Sequence, residues 1–190
     1  MKLARILPFA RSLLDLAVQP GDIAVDATVG NGHDTLYLAE RVGKNGHVFG
    51  FDIQTQAIEN TAKRLQEHAV YEQVTLFHAS HDTLIEKIPT HVHGRITGAI
   101  FNLGYLPGGD KQIVTKPAST IRAVEQLLDI MVPEGIIVLV IYHGHPEGAI
   151  ERDAVLSYVA TIDQQRAHVL RYQFINQINH PPFIVAIEKR

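Results

Sequence analysis

Cysteine and tryptophan are absent from the 190 residues. The missing thiols exclude a disulfide scaffold, a thiolate nucleophile and any cysteine-ligated zinc or iron–sulfur centre, and they make a cytoplasmic location the default expectation. A long hydrophobic run is also lacking. The longest, GIIVLVIY over 135–142, is far below the roughly 20 residues a membrane helix needs, so no membrane partner is expected. Nor is there an excess of positive charge: the formal balance is −3, and a strongly basic nucleic-acid surface is not visible in that sum. What is present, 46% hydrophobic and 19% charged residues, is the balance of a folded protein with a real core. A chain of this length suits one domain spanning 1–190 rather than two.

The opening MKLARILPFARSLLDLAV begins basic and turns apolar. It carries Arg5, Pro8, Arg11 and Asp15 and lacks a small-residue cleavage site. It therefore reads as an amphipathic helix within 1–20 packed on the domain, not as a signal peptide. Lys2, Arg5 and Arg11 form the most basic stretch, expected as a solvated helix face. The short chain and this spare apolar helix suggest a homodimer.

Short β-branched runs alternate with longer segments whose apolar residues recur three or four apart. The runs predict strands over 23–27, 47–53, 74–79, 96–102, 135–141, 169–175 and 183–188, and the periodic segments predict helices over 34–42, 55–68, 80–87, 116–131 and 148–162. Turn signals lie between them at GKNG, Pro89, Pro107 to Asp110, Pro133-Glu-Gly and Pro181-Pro182. The last two strands have no helix between them, so they must run antiparallel. The expected fold is α/β and Rossmann-like, with seven mostly parallel strands, an antiparallel C-terminal strand and helices on both faces. This is the variant seen in class I methyltransferases.

The first strand runs into Asp26-Ala-Thr-Val-Gly-Asn-Gly-His-Asp-Thr35. Gly30 and Gly32 allow a tight turn and a close approach to a ligand, and a side chain at Gly32 is expected to block that approach. Asp52 follows Gly32 by 20 residues, where a carboxylate can accept hydrogen bonds from ribose hydroxyls. A dinucleotide fingerprint would place a small residue where Thr35 stands. Asp26 and Asp34 would repel a pyrophosphate but suit a cofactor bearing an ammonium and a sulfonium, as S-adenosylmethionine does. Asp34 is equally placed to complement the helix dipole.

The run DATVGNGHDT, the FDIQ of the second strand, and the later NLGYLPGGDK and YHGHPEG closely resemble the bacterial class I methyltransferases known as the MnmM-type tRNA wobble-uridine methyltransferases. The likeness covers essentially the whole chain, with Thr28 standing where methyltransferases commonly carry a first glycine. It implies S-adenosylmethionine-dependent methylation of the exocyclic aminomethyl nitrogen of a modified uridine in the tRNA anticodon stem-loop. The cofactor set expected on this basis is Asp26, Thr28, Gly30, Asn31, Gly32, Asp34 and Thr35 in the first loop and helix. Asp52, Ile53 and Gln54 follow at the second strand, then Ser80, which is also a helix-capping candidate, with His81, and Asn102.

Asn102-Leu-Gly-Tyr105 stands where amino-methylating enzymes carry an Asn/Asp-Pro-Pro-aromatic motif. An amine attacking a methylsulfonium must hold its lone pair in line, and an Asn carbonyl oxygen can aim its N–H groups. Asn102 is therefore the expected orienting residue, Tyr105 a surface on which a flipped uracil can stack, and Tyr142 and His143 further catalytic candidates. His143 or His145 is expected to take the amine proton. His91 and His93 have no carboxylate nearby in sequence and read as structural, so no metal site is expected. Two other readings fit the same residues: methylation of another RNA base or a small-molecule amine, and nucleotide binding without catalysis.

Overall fold

The structure, a computed structural model, describes residues 2–109 and 112–190. Its strands are β1 (Ile23–Asp26), β2 (His47–Asp52), β3 (Val74–His78), β4 (Ile96–Leu103), β5 (Met131–Ile141), β6 (Ala167–Tyr172) and β7 (Phe183–Lys189). The helices are α1 (Ile6–Ala17), α2 (His33–Val42), α3 (Thr55–Glu67), α4 (Leu84–Lys87), α5 (Pro117–Ile130) and α6 (Pro146–Val159). One sheet runs in the order β3-β2-β1-β4-β5-β7-β6, with β1 to β5 parallel and β7 antiparallel to both of its neighbours. The chain works outward from β1 to β3 and then returns to place β4 on the other side of β1. The carboxyl ends of β1 and β4 thus flank the switch point, where doubly wound sheets open a crevice.

Each face of the sheet has its own apolar cluster. Ala123, Val124 and Leu127 of α5 cover one face, and Leu14 of α1 with Leu38 and Ala39 of α2 cover the other. Helix α1 is not spare. Ile6, Ala10, Leu13 and Leu14 are buried, and a Cβ on Gly98 of β4 would stand 2.4 Å from Val18 Cγ2, so only glycine lets this segment sit so close to the sheet. Phe9 stacks on Tyr172 with ring centroids 3.9 Å apart. The apolar face behind the homodimer expectation is therefore covered by the chain itself, although Leu3, Leu7 and Leu16 remain exposed.

Several boundaries differ from the sequence reading, and three of them have a local physical cause. Strand β5 begins at Met131, inside the expected helix, and Val132, Pro133, Glu134 and Gly135 form an irregularity within the strand. Ile96 faces Met131, but Gly98 faces Ile136, and Glu134 takes up the extra residues at φ +64. The helix expected over 80–87 splits into a 3-10 turn at His81–Thr83 and the single turn of α4. Pro89 holds Ile88 in an extended conformation that ends it, and the Ser80 hydroxyl makes no capping bond. Strand β6 ends at Tyr172, and 173–182 form the link to β7. As an edge strand it leaves residues 168–171 exposed, so its apolar pattern carries little register information. Among the described residues, no helix is long and apolar enough to cross a membrane.

Candidate active site

At the switch point, residues 27–32 form a loop between β1 and α2 that is tied on every side. The Thr28 N–H (3.2 Å) and the Thr35 hydroxyl (2.6 Å) both donate to the Asp26 carboxylate beneath it. Asp52 accepts the Gly30 N–H at 3.1 Å and the Gln54 N–H at 2.9 Å. Asn31 accepts from Arg64 on its carbonyl (2.7 Å) and donates its amide to Pro107 O (3.2 Å). Burial pushes the Asp26 carboxyl up to about 7; Asp34 and Asp52 push the same way, and the two hydrogen bonds oppose them.

A cleft of about 430 Å³ lies between this loop and the segments 104–107 and 113–116, which together form a strap before α5. Of the expected cofactor residues, Thr28, Gly30, Asp52, Ile53, Gln54, Ser80, His81 and Asn102 line it, and so does Tyr105. Asp26, Asn31, Gly32, Asp34 and Thr35 do not; Asp26, Asn31 and Thr35 instead make the hydrogen bonds that tie the loop. Gly32 has φ +78, and a Cβ there would meet Thr61 Oγ1 at 2.9 Å and Thr61 Cα at 3.0 Å. Its side chain would enter α3, not the path of a ligand, which corrects the reason for that glycine.

His81 is buried beside Phe101, its ring edge-on with centroids 5.5 Å apart. Its Nδ1–H is 3.1 Å from Ala27 O, which leaves Nε2 as an acceptor, and that buried nitrogen has no hydrogen-bond partner among the described residues. Burial lowers the His81 pKa, so the ring stays neutral near pH 7. The cleft thus offers a carboxylate at the end of β2, a neutral imidazole acceptor and the apolar walls of Ile53, Ala79 and Leu106. This is the chemistry that receives an adenosine, and its volume is that of an ordinary small-molecule site.

The strap is fixed by a network that the sequence did not advertise. Tyr105 and Val114 form a β-bridge. Gly104 N–H donates to Thr115 Oγ1 at 2.9 Å, and the hydroxyls of Thr115 and Thr120 donate to the buried Glu151 carboxylate of α6. Burial raises the Glu151 pKa while those hydroxyls and His145 lower it. Thr115 and Lys116 also line the cleft. Asp110 and Lys111, the end of the motif starting at Asn102, lie outside the described residues.

Asn102, the next-to-last residue of β4, lines the cleft. Its N–H donates to Thr28 Oγ1 (2.7 Å), and its Nδ2 donates to Asp34 Oδ2 (2.9 Å). Tyr142 follows β5, and burial and the charge of Asp34 both raise its phenol pKa. His145 packs edge-on against Tyr105, with centroids 5.5 Å apart. His143 does not suit the role expected of it. It is outside the cleft lining, its Nε2 is bonded to Pro181 O (3.0 Å), and its Nδ1 faces Arg152 Nη1 (3.3 Å). With both ring nitrogens engaged, and with burial and Arg152 lowering its pKa, it anchors the 173–182 link and does not take up a substrate proton.

A parallel sheet with its last strand inserted antiparallel, and a nucleoside-sized cleft over an acidic β2 end at the switch point, define the class I S-adenosylmethionine-dependent methyltransferase fold. Within that class the chain belongs to the family described as "Putative rRNA methylase", which matches residues 48–188. A chloroplastic tRNA (mnm(5)s(2)U34)-methyltransferase of Arabidopsis thaliana is 33% identical over 188 residues, 95% of this chain and 68% of its own length. A crystal structure from Clostridium thermocellum that carries the family's description is 42% identical, covers both chains fully and superposes with a TM-score of 0.96. A Streptococcus mutans protein in complex with SAH is 38% identical, with 99% of each chain covered and a TM-score of 0.88.

Proposed function

We propose that residues 1–190 act as one catalytic unit that methylates the exocyclic aminomethyl nitrogen of a modified uridine at the tRNA wobble position. The anticodon stem-loop is the substrate and S-adenosylmethionine the methyl donor. The observation that carries this reading is the Asn102 amide. Its Nδ2 is committed to Asp34, so Oδ1 is the end left to accept an N–H from an amine in the cleft. When bound, S-adenosylmethionine supplies an electrophilic methyl on a sulfonium. Asp52 holds the ribose hydroxyls, and His81 Nε2 gives the adenosine a neutral acceptor. Ile53, Gln54, Thr28 and Gly30 line the same cleft. Tyr105, 42% exposed at the mouth, offers its ring for stacking on an extruded uracil. Tyr142, a catalytic candidate in the sequence, stands beside Gly104 but does not itself line the cleft. The 33% identity with the chloroplastic tRNA enzyme over 95% of this chain supports the substrate class.

The test is methyl transfer from labelled cofactor to tRNA prepared from cells lacking the gene, with mass spectrometry of the wobble nucleoside. Incorporation at the aminomethyl nitrogen is expected. Asn102→Ala should lower kcat and kcat/KM together by about 10² while sparing cofactor affinity, because alignment is realised at the transition state. Methylation elsewhere in the RNA, or none, refutes the assignment. The net charge of −3 favours one competing reading, a small-molecule amine substrate. A tRNA complex that weakens steeply with salt separates the two.

A further inference from the structure

The N-terminal helix reaches the active site through two side chains. Arg11 of α1 donates Nη2–H to Asp34 Oδ1 at 3.1 Å, and the other oxygen of Asp34 accepts Nδ2–H of Asn102 at 2.9 Å. A carboxylate only accepts hydrogen bonds, so of the two ends of an amide only the NH2 can face it. The Arg11 guanidinium is itself placed, lying 4.6 Å over the Tyr37 ring, while the Tyr37 hydroxyl bonds Asp15 and Arg11 O on α1. Gly98 seats the same helix against β4. Asp34 has 15% of its side chain exposed; a charge so nearly buried needs a partner, and Arg11 is the cation that pairs with it.

We propose that Arg11 and Asp34 are positioning residues that set which end of the Asn102 amide faces the reacting amine, which makes α1 part of the catalytic apparatus. This rests on the reading of Asn102 given above. Asp34 acts through Asn102, since both of its oxygens are engaged and it does not line the cleft. Without the carboxylate, the amide can turn over and present an NH2 to a substrate N–H, and the two donors repel. Arg11 holds the carboxylate by the oxygen that does not take the amide. A lysine in its place keeps the charge but not the planar fork.

The test uses the full chain with Asp34→Asn, Arg11→Ala and Arg11→Lys, each checked for folding by circular dichroism. The first readout needs neither cofactor nor substrate. The Asn102 side-chain amide resonances should shift and lose protection from exchange in Asp34→Asn, and move in the same direction but less in Arg11→Ala. The second is kinetic: kcat should fall about tenfold in Asp34→Asn and severalfold in Arg11→Ala, with part of the loss recovered in Arg11→Lys, while SAH affinity and KM for tRNA stay within about twofold. Unmoved amide resonances overturn the proposal. So does a loss of SAH affinity that parallels the loss of kcat, because Asp34 would then be a cofactor contact. If Asp34→Asn failed to fold, the two Arg11 variants would carry the same readouts. Full kcat in Asn102→Ala overturns the reading of Asn102 and this inference with it, whereas loss there with full kcat in Asp34→Asn overturns this inference alone.

Discussion

Gly30 and Gly32 stand two residues apart in one loop, both at positive φ, yet they are expected to fail differently when given a methyl group. At Gly32, with φ +78, an L-residue costs about 1–2 kcal/mol in backbone strain. The new Cβ also lies 2.9 Å from Thr61 Oγ1, 3.0 Å from Thr61 Cα and 3.1 Å from Thr61 Cγ2. Neither the α3 backbone nor the hydroxyl that donates to Gly30 O at 3.0 Å can step aside freely, so overpacking adds about 1–3 kcal/mol. The combined loss, about 2–5 kcal/mol, is a large part of the 5–15 kcal/mol that keeps an ordinary domain folded. At Gly30, with φ +51, the nearest atom to a new Cβ is Leu106 Cδ1 at 3.4 Å, an ordinary contact, so only the backbone strain of about 1–2 kcal/mol applies. But Gly30 lines the cleft, and a methyl group there narrows the gap between loop and strap. Urea unfolding with SAH calorimetry on the folded protein should therefore show Gly32→Ala lowering the midpoint strongly with near-normal affinity. Gly30→Ala should keep most of its stability and bind SAH about tenfold more weakly, or about 1.4 kcal/mol. A Gly32→Ala protein of unchanged stability that cannot bind SAH would refute the argument and restore the view that this glycine faces the ligand.

Asp52→Ala should weaken cofactor binding by about 1–3 kcal/mol, because the ribose loses a charged acceptor and the Gly30 and Gln54 N–H groups lose theirs; calorimetry giving the wild-type affinity would remove the ribose assignment. Asp26 carries a pH signature. Its carboxyl titrates at about 7 when folded and at 3.8 by default, so the folded state holds the extra proton between those values. Its contribution to stability is lost as pH rises from about 4 through about 7. Asp26→Asn should therefore gain on the wild type in urea midpoint between pH 5 and pH 8, and parallel pH curves for the two proteins would contradict the raised value.

Much of the fold could be read directly from the chain. Strands buried on both faces must be β-branched runs, helices on a sheet must show one apolar stripe, and the first loop of DATVGNGHDT is a local strand–turn–helix unit with its geometry fixed by near neighbours. The place of Asp52 at the carboxyl end of β2 was legible for the same reason, two residues past the point where the pairing of β2 with β1 stops at Gly50 and Asp26. Where neighbours along the chain do not decide, the reading slipped: at the irregularity after Met131, at the edge strand β6, and at His143, whose partner Pro181 lies 38 residues away. Glu151 looks like one more charge in Glu-Arg-Asp on a surface helix. Only the docking of α6 beside the strap shows it buried under two threonine hydroxyls. Asp34 and Asn102 were each legible as site candidates and Arg11 only as a charge on a helix face, but that the three meet was not, since successive members are 23 and 68 positions apart. The sequence determines periodicity and local turns because those depend on residues a few positions apart. Which side chains meet across the switch point depends on strand order and helix placement, and these follow from how all the apolar faces are buried at once.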